Sequence, residues 1–164
     1  MAQLSDDCFA HGGKLMTTAN ALALLEEKLQ CITETETISV VESLGRVLAE
    51  DVISPCNVPP HDNSAVDGYA VYFDDLNTTS ETILPISDRI AAGSYVRETL
   101  RKGTAARIFT GAPMPLGADT VLMQEDCRLI GTNEVSIPLG IKPGSNRRFA
   151  GEDVEESSVI LHAG

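Results

Sequence analysis

The chain has 164 residues, 43% hydrophobic and 22% charged, enough for one ordinary globular domain or two small ones with a real core. A net charge of −12, no Trp and 4% aromatic residues exclude a nucleic-acid platform, which needs cationic side chains and stacked rings. No stretch approaches the ~20 apolar residues of a membrane span, and the N-terminus lacks a signal-peptide run, so a soluble cytoplasmic protein is expected.

Residues 1–15 read as a disordered lead-in, with Gly12-Gly13 breaking any periodicity. Thr17-Thr18-Ala19-Asn20 then offers capping groups ahead of Leu22, Leu25, Leu29 and Ile32, whose spacing of three and four predicts an amphipathic helix. The apolar stripe fits core packing within one protomer and a dimer contact equally well. Residues 37–41 are β-branched and strand-like, 42–46 suit a short helical turn ended by Gly45, and 47–53 read as another strand. Pro55, Pro59 and Pro60 end that regular structure, since proline cannot donate to a ladder. Short β-type runs follow at 68–73, 82–90, 105–109, 120–125 and 134–137, separated by Gly, Pro, Asn and Asp, the pattern of a compact all-β module. A turn at 155–158 leads into a final strand near Val159-Ile160-Leu161, which is expected to need a continuation beyond Gly164. The expected fold class is mainly β with an N-terminal helix (α+β), its sheets irregular and coiled.

Three dense stretches hold the residues that could carry chemistry. In the first, Val58-Pro-Pro-His-Asp-Asn-Ser-Ala-Val-Asp-Gly-Tyr-Ala-Val71, Asp62 and Asp67 sit in a proline-framed loop. Such carboxylates can hold Mg²⁺, act as a general base, or accept hydrogen bonds from backbone amides. The structural alternative is an Asx-turn of Asp62 with Asn63 and Ser64, with Asp67 capping the following strand. Gly68 makes Asp67 the sharper candidate, because it lets a ligand or another backbone approach closely. In the second stretch, Thr110-Gly111-Ala112-Pro113 is a turn after a strand, whose hydroxyl and amides could bind a phosphate or simply close the turn. Glu125, at the end of the following apolar run, reads as structural. In the third, Arg147 and Arg148 break an acidic background: their planar forks suit phosphate or carboxylate, or an internal salt bridge with Glu152 or Asp153. Cys8, Cys31, Cys56 and Cys127 are scattered, as are His11, His61 and His162, so neither set has zinc-ligand spacing and the thiols are expected reduced.

In this order and spacing the three stretches resemble the front part of the molybdopterin molybdenumtransferase family, the MoeA-type enzymes, over about residues 16–164. The family pattern Pro-x-x-Asp-Asn-Ser-Ala-Met-Asp-Gly-Tyr-Ala aligns with residues 59–70, with His61 where Phe is usual and Val66 where Met is usual. Its second Asp, linked to activity, falls on Asp67. The Thr-Gly-Ala-Pro turn aligns with Thr110 and could meet the pterin's polar edge. Asn-x-Arg-x-x-Gly-Glu-Asp aligns with Asn146, Arg148, Gly151, Glu152 and Asp153. The resemblance implies catalytic roles for Asp67, Thr110 and Asp153, substrate contacts from Asp62, Ser64, Gly111 and Arg148, and Asp67 as a Mg²⁺ ligand.

It also implies an elongated homodimer whose substrate, adenylylated molybdopterin, comes from a MogA-type adenylyltransferase partner. Such an enzyme releases AMP and inserts molybdenum from molybdate with Mg²⁺. Residues 16–54 and 145–164 are expected to belong to an elongated linker and dimerisation domain, incomplete here, and 55–144 to a β-rich domain. The MogA-like domain's Ser-Thr-Gly-Asp-Glu-type turn and Gly-Gly-x-Ser element are not in these residues. A fragment carrying half of a composite active site, inactive alone, is therefore expected. The alternative is a non-catalytic dimerisation or scaffold module for the cofactor-assembly partners. A carboxylate-based hydrolase fits less well, because Asp62 and Asp67 across a proline-framed turn set no glycosidase distance.

Overall fold

The computed structural model describes residues 16–30, 32–95 and 98–164. The expected disordered lead-in lies outside the described residues. The chain divides into two compact units, Met1–Arg46 and Val47–Gly164.

In the first unit the capping residues form the predicted helix, Thr18–Lys28 (α1), with the Thr17 hydroxyl accepting from the Asn20 amide at 3.3 Å. None of its residues is buried, and Leu22, Leu25 and Leu29 are 56%, 52% and 71% exposed, so core packing does not cover the apolar stripe in the described structure. The strand expected at 37–41 does not form. Val40–Glu42 is instead a 3₁₀ turn, closed by the Glu42 amide on the Ser39 carbonyl at 2.9 Å. β-branched residues favour a strand only where a neighbouring ladder satisfies their backbone, and none pairs here.

The second unit carries ten strands among the described residues. They are Val52–Ile53 (β1), Asn63–Ser64 (β2), Gly68–Val71 (β3), Thr82–Ile90 (β4), Ala105–Ile108 (β5), Thr120–Met123 (β6), Arg128–Ile130 (β7), Glu134–Ile137 (β8), Arg147–Arg148 (β9) and Val159–Leu161 (β10). The expected strand at 47–53 thus shrinks to two paired residues, and β7 was not expected at all. The fold is mainly β with one N-terminal helix, as its sequence indicates.

Strands β3 to β8 build one curled six-stranded sheet in the order β6-β3-β5-β4-β8-β7. Every adjacent pair is antiparallel except β4–β5. All four residues of β3 are buried, since it runs between β6 and β5 with core on both faces. One face packs Ala70, Ile90, Ala106, Ile108 and Val121, and the other Tyr69, Val71, Leu84, Ala105, Leu122, Val135 and Ile137. Period-two alternation along β3, β5 and β6 produces this split.

The chain before the sheet is stitched to the chain after it. β1 pairs with β10, Val58 bridges Val154, and β2 pairs with β9, all antiparallel. The last expected strand therefore finds its partner in β1. This stitching carries the third dense stretch to the first, while the pairing of β3 with β5 and β6 and the Asn63–Pro113 bridge bring in the second.

Candidate functional site

The proline-framed loop is held by backbone on its first side. The Gly151 amide donates to the Pro59 carbonyl at 2.9 Å, and the Asp153 amide to the Val58 carbonyl at 2.9 Å. Asp62 is then gripped from across the sequence rather than by its neighbours. Its Oδ1 accepts from the Ala150 amide at 2.8 Å, and its Oδ2 accepts from Arg147 Nε at 3.0 Å and from Arg147 Nη2. Partial burial would push its carboxyl up, but the Ala150 amide and the Arg147 guanidinium outweigh that and hold it below the usual carboxylate value. The expected Asx-turn of Asp62 is absent. The short turn belongs to Ser64, whose buried hydroxyl donates to the Val66 carbonyl at 2.6 Å.

Asp67 closes the loop against the Thr110 turn. Its Oδ1 accepts from both the Thr110 amide, at 2.8 Å, and the Thr110 hydroxyl, at 2.7 Å. These two bonds, amide first, hold the carboxyl below its usual value, helped by the nearby Arg107 charge. The second oxygen, Oδ2, has no hydrogen bond within the described residues and is available to a ligand. Gly111, at φ +76°, turns the chain so that its own amide donates to the Ser64 carbonyl at 2.8 Å, and Ser64 returns a bond to the Ala112 carbonyl at 3.0 Å. Gly68 is required on the other side of Asp67: a Cβ there would lie 1.8 Å from the Leu122 carbonyl oxygen.

The third stretch forms its own ion cluster. Arg148 Nη2 donates to Asp153 Oδ1 at 2.5 Å, its Nε to Glu152 at 3.4 Å, and Glu152 accepts the Phe149 amide at 2.9 Å. Thus Arg148 and Asp153 do meet, in a pair that raises the Arg148 pKa further, through the Asp153 bond above all. Backbone links this cluster to the rest: Asn63 pairs with Arg148 on one side and bridges Pro113 on the other. Asp67 with Thr110 and Arg148 with Asp153 are nonetheless two separate bonded pairs.

Sequence reasoning passed over Arg107 and Gln124. Arg107 Nη1 donates to the Gly68 carbonyl at 3.0 Å and Nη2 to Gln124 Oε1, while the Gln124 amide donates to the Asp67 carbonyl at 3.0 Å. The signal was the strand alternation that puts Arg107 and Phe109 on one face immediately before Thr110. Arg147 was ranked below Arg148, yet it is the clamp on Asp62. Glu125, read as structural, accepts from Gln124 Nε2 at 3.1 Å and so extends this network.

A hard cation such as Mg²⁺ takes six oxygen ligands, usually with more than one carboxylate or substrate phosphates. No group of three or more His, Cys, Asp or Glu that could hold a metal occurs among the described residues. Asp67 belongs to no such group, so these residues do not by themselves make the magnesium site expected of it. No helix of the described residues is long and apolar enough to cross a membrane.

A mainly β unit carrying an Asp67–Thr110 pair and a separate Arg148–Asp153 pair defines a class also visible by direct comparison. Residues 16–164 match the family model described as the MoeA N-terminal region (domain I and II). The chain is 39% identical over 150 residues to the molybdopterin molybdenumtransferase of Haemophilus influenzae, covering 92% of this chain and 37% of that protein. It is 40% identical over 149 residues to the enzyme of that name from Nostoc sp., covering 89% and 34% respectively. A solved structure of the molybdopterin biosynthesis moeA protein from Pyrococcus horikoshii OT3 superposes with a TM-score of 0.76 at 34% identity, over 92% of this chain and 40% of that one. The chain belongs to the MoeA family. It spans about a third of the length of the curated relatives it matches.

Proposed function

We propose that these residues form the N-terminal part of a molybdopterin molybdenumtransferase acting in molybdenum cofactor biosynthesis, and that they supply one side of a composite active site. In this reading adenylylated molybdopterin is cleaved, AMP is released, and molybdenum from molybdate enters the pterin. The observation that carries the reading is the Asp67–Thr110 pair. It holds a carboxylate ionised, one oxygen fixed by two donors and the other without a hydrogen bond among the described residues. Breaking a phosphoric anhydride with water needs an oriented oxygen nucleophile, a proton acceptor and stabilised negative charge. The free Oδ2 of Asp67 can orient and accept the proton. Arg148, its guanidinium held by Asp153, sits on β9 with its backbone paired to Asn63 of the same loop. The oxyanion-selecting elements are not among these residues, so turnover needs a second contributor, in the same polypeptide or in trans.

The test is AMP release from adenylylated molybdopterin in buffer with molybdate and Mg²⁺, measured for this chain alone and with a MogA-like domain of the family added. Activity only in the combined sample, lost in Asp67→Ala, is the expected result. Activity of the chain alone, or full activity of Asp67→Ala in the combined sample, would overturn the half-site reading. A second reading, a dimerisation module that also meets a MogA-type partner, is favoured by one observation: the uncovered Leu22, Leu25 and Leu29 stripe of α1.

A further inference from the structure

We propose that Arg89 and Arg107, stacked on Phe109 beside the Asp67–Thr110 pair, form a binding site for a phosphoryl group. The proposal rests on the reading of the site given above and names the part of the substrate that it would hold. Arg46, Arg128, Arg147 and Arg148 each have a carboxylate partner. Among the described residues Arg89, Arg101 and Arg107 have none, and of these Arg89 and Arg107 share one aromatic ring. In a chain of net charge −12, two neighbouring guanidiniums with no carboxylate in ion-pair contact leave cationic N–H groups open at one place, although Arg107 lies close enough to Asp67 to act on its carboxyl.

Strand register brings them together. Arg89 of β4 lies opposite Arg107 of β5, and Arg107 lies opposite Tyr69 of β3, so the three occupy one row across the sheet. Both guanidiniums sit over the Phe109 ring, each 4.6 Å from its centroid, and Arg107 is also 5.2 Å from the Tyr69 ring centroid. A guanidinium lying over a ring keeps its N–H groups at its rim, free for acceptors in its own plane. Arg107 spends one nitrogen on the Gly68 carbonyl and another on Gln124, which fixes its plane and leaves further N–H groups. Arg89 is exposed and its guanidinium makes no hydrogen bond within the described residues. Planar forks of this kind match the tetrahedral edges of a phosphoryl group. Thr110 follows Phe109 directly and bonds Asp67, and Arg107 acts on the same carboxyl, so a phosphoryl group on the stack would lie in the neighbourhood of the Asp67–Thr110 pair.

The experiment is a titration of the ¹⁵N-labelled 164-residue protein with inorganic pyrophosphate at constant ionic strength, following arginine Nε–H and backbone amide signals by NMR. Sodium molybdate is titrated in a parallel arm. Saturable shifts at Arg89, Arg107 and Thr110 with pyrophosphate are expected, with affinity falling about tenfold in Arg89→Gln, the loss of one charge-assisted bond. Because Arg107 also braces Gly68, Arg107→Lys serves as the second variant. It keeps the charge but not the fork, and weakening there with an unchanged fold supports the fork. Shifts confined to Arg147 and Arg148, response to molybdate but not pyrophosphate, or unchanged affinity in Arg89→Gln would each overturn the proposal. In the combined sample that releases AMP, Arg89→Gln should raise KM for adenylylated molybdopterin with little change in kcat. AMP release that ignores Arg89→Gln sinks this site alone, whereas pyrophosphate bound at the stack without any AMP release sinks the functional reading alone.

Discussion

Asp62 shows how a carboxylate in a loop of this kind becomes a structural part. Its two oxygens collect three donors, from Ala150 and Arg147, some 85 residues away in sequence. The pair is only partly exposed, with Arg147 and Asp62 side chains at 25% and 29%, so screening reduces but does not erase its value. Asp62→Asn is expected to cost about 1–2 kcal/mol, read as a lower denaturant midpoint. The folded pKa is depressed below the unfolded value of about 3.8, so the ionised form is the stabilising one. Its contribution is fully present above that value and is lost as pH falls through the lower folded pKa. Acid unfolding of the parent should therefore be steeper below about pH 4 than that of Asp62→Asn, measured by circular dichroism across pH. Parallel acid curves would remove Asp62 as a stabilising group. At this scale the sequence marked Asp62, Asp67, Thr110, Arg148 and Asp153 as the residues to watch. It could not show that Arg147 rather than Asn63 or Ser64 answers Asp62, because that partnership depends on β2 meeting β9.

Among the elements, strands were legible wherever alternation and bounding turn residues coincided. Residues 82–90 and 134–137 form β4 and β8 with the expected bounds. The run at 37–41 has the same β-branched character but no neighbour to pair with, and β7 has a charged first residue yet pairs because β8 lies beside it. Strand formation here is decided by partners, which single-segment propensity does not contain. β3 carries the tightest constraint. The missing side chain of Gly68 admits the Leu122 carbonyl, and no flexible group can yield to a Cβ placed 1.8 Å from it. Gly68→Ala should cost on the order of 3 kcal/mol or prevent folding, seen as loss of the cooperative thermal transition. A variant of near-parental melting temperature would mean that β3 and β6 can separate without penalty.

On the scale of the molecule, the chain leaves considerable apolar surface uncovered. Along α1 the exposed leucines repeat at three and four residues, and an exposed Val40, Val41 and Leu44 follow in the same unit. Surface of this kind promotes association. Concentration-dependent self-association is expected in sedimentation velocity, and Leu22→Lys with Leu25→Lys should reduce it. A monodisperse monomer at high concentration, for both parent and variant, would contradict a contact role for the helix. The sequence disclosed the stripe but not its exposure, because periodicity records which residues share a face and not what the face meets.

The stitched segments on either side of the six-stranded sheet also set how the protein would respond to mechanical load. β1 with β10, Val58 with Val154, and β2 with β9 are successive rungs of one antiparallel stem, and the sheet's own strands lie beyond the innermost rung. Tension applied at Val52 and Leu161 would load those rungs one after another, as a zipper opens, rather than shearing them together. The stem would therefore yield first and at low force, separating Asp62 from Arg147 while β3 to β8 remained intact. Under such a load the stem would act as a mechanical fuse ahead of the six-stranded sheet, and the loop that carries the candidate site would open with it.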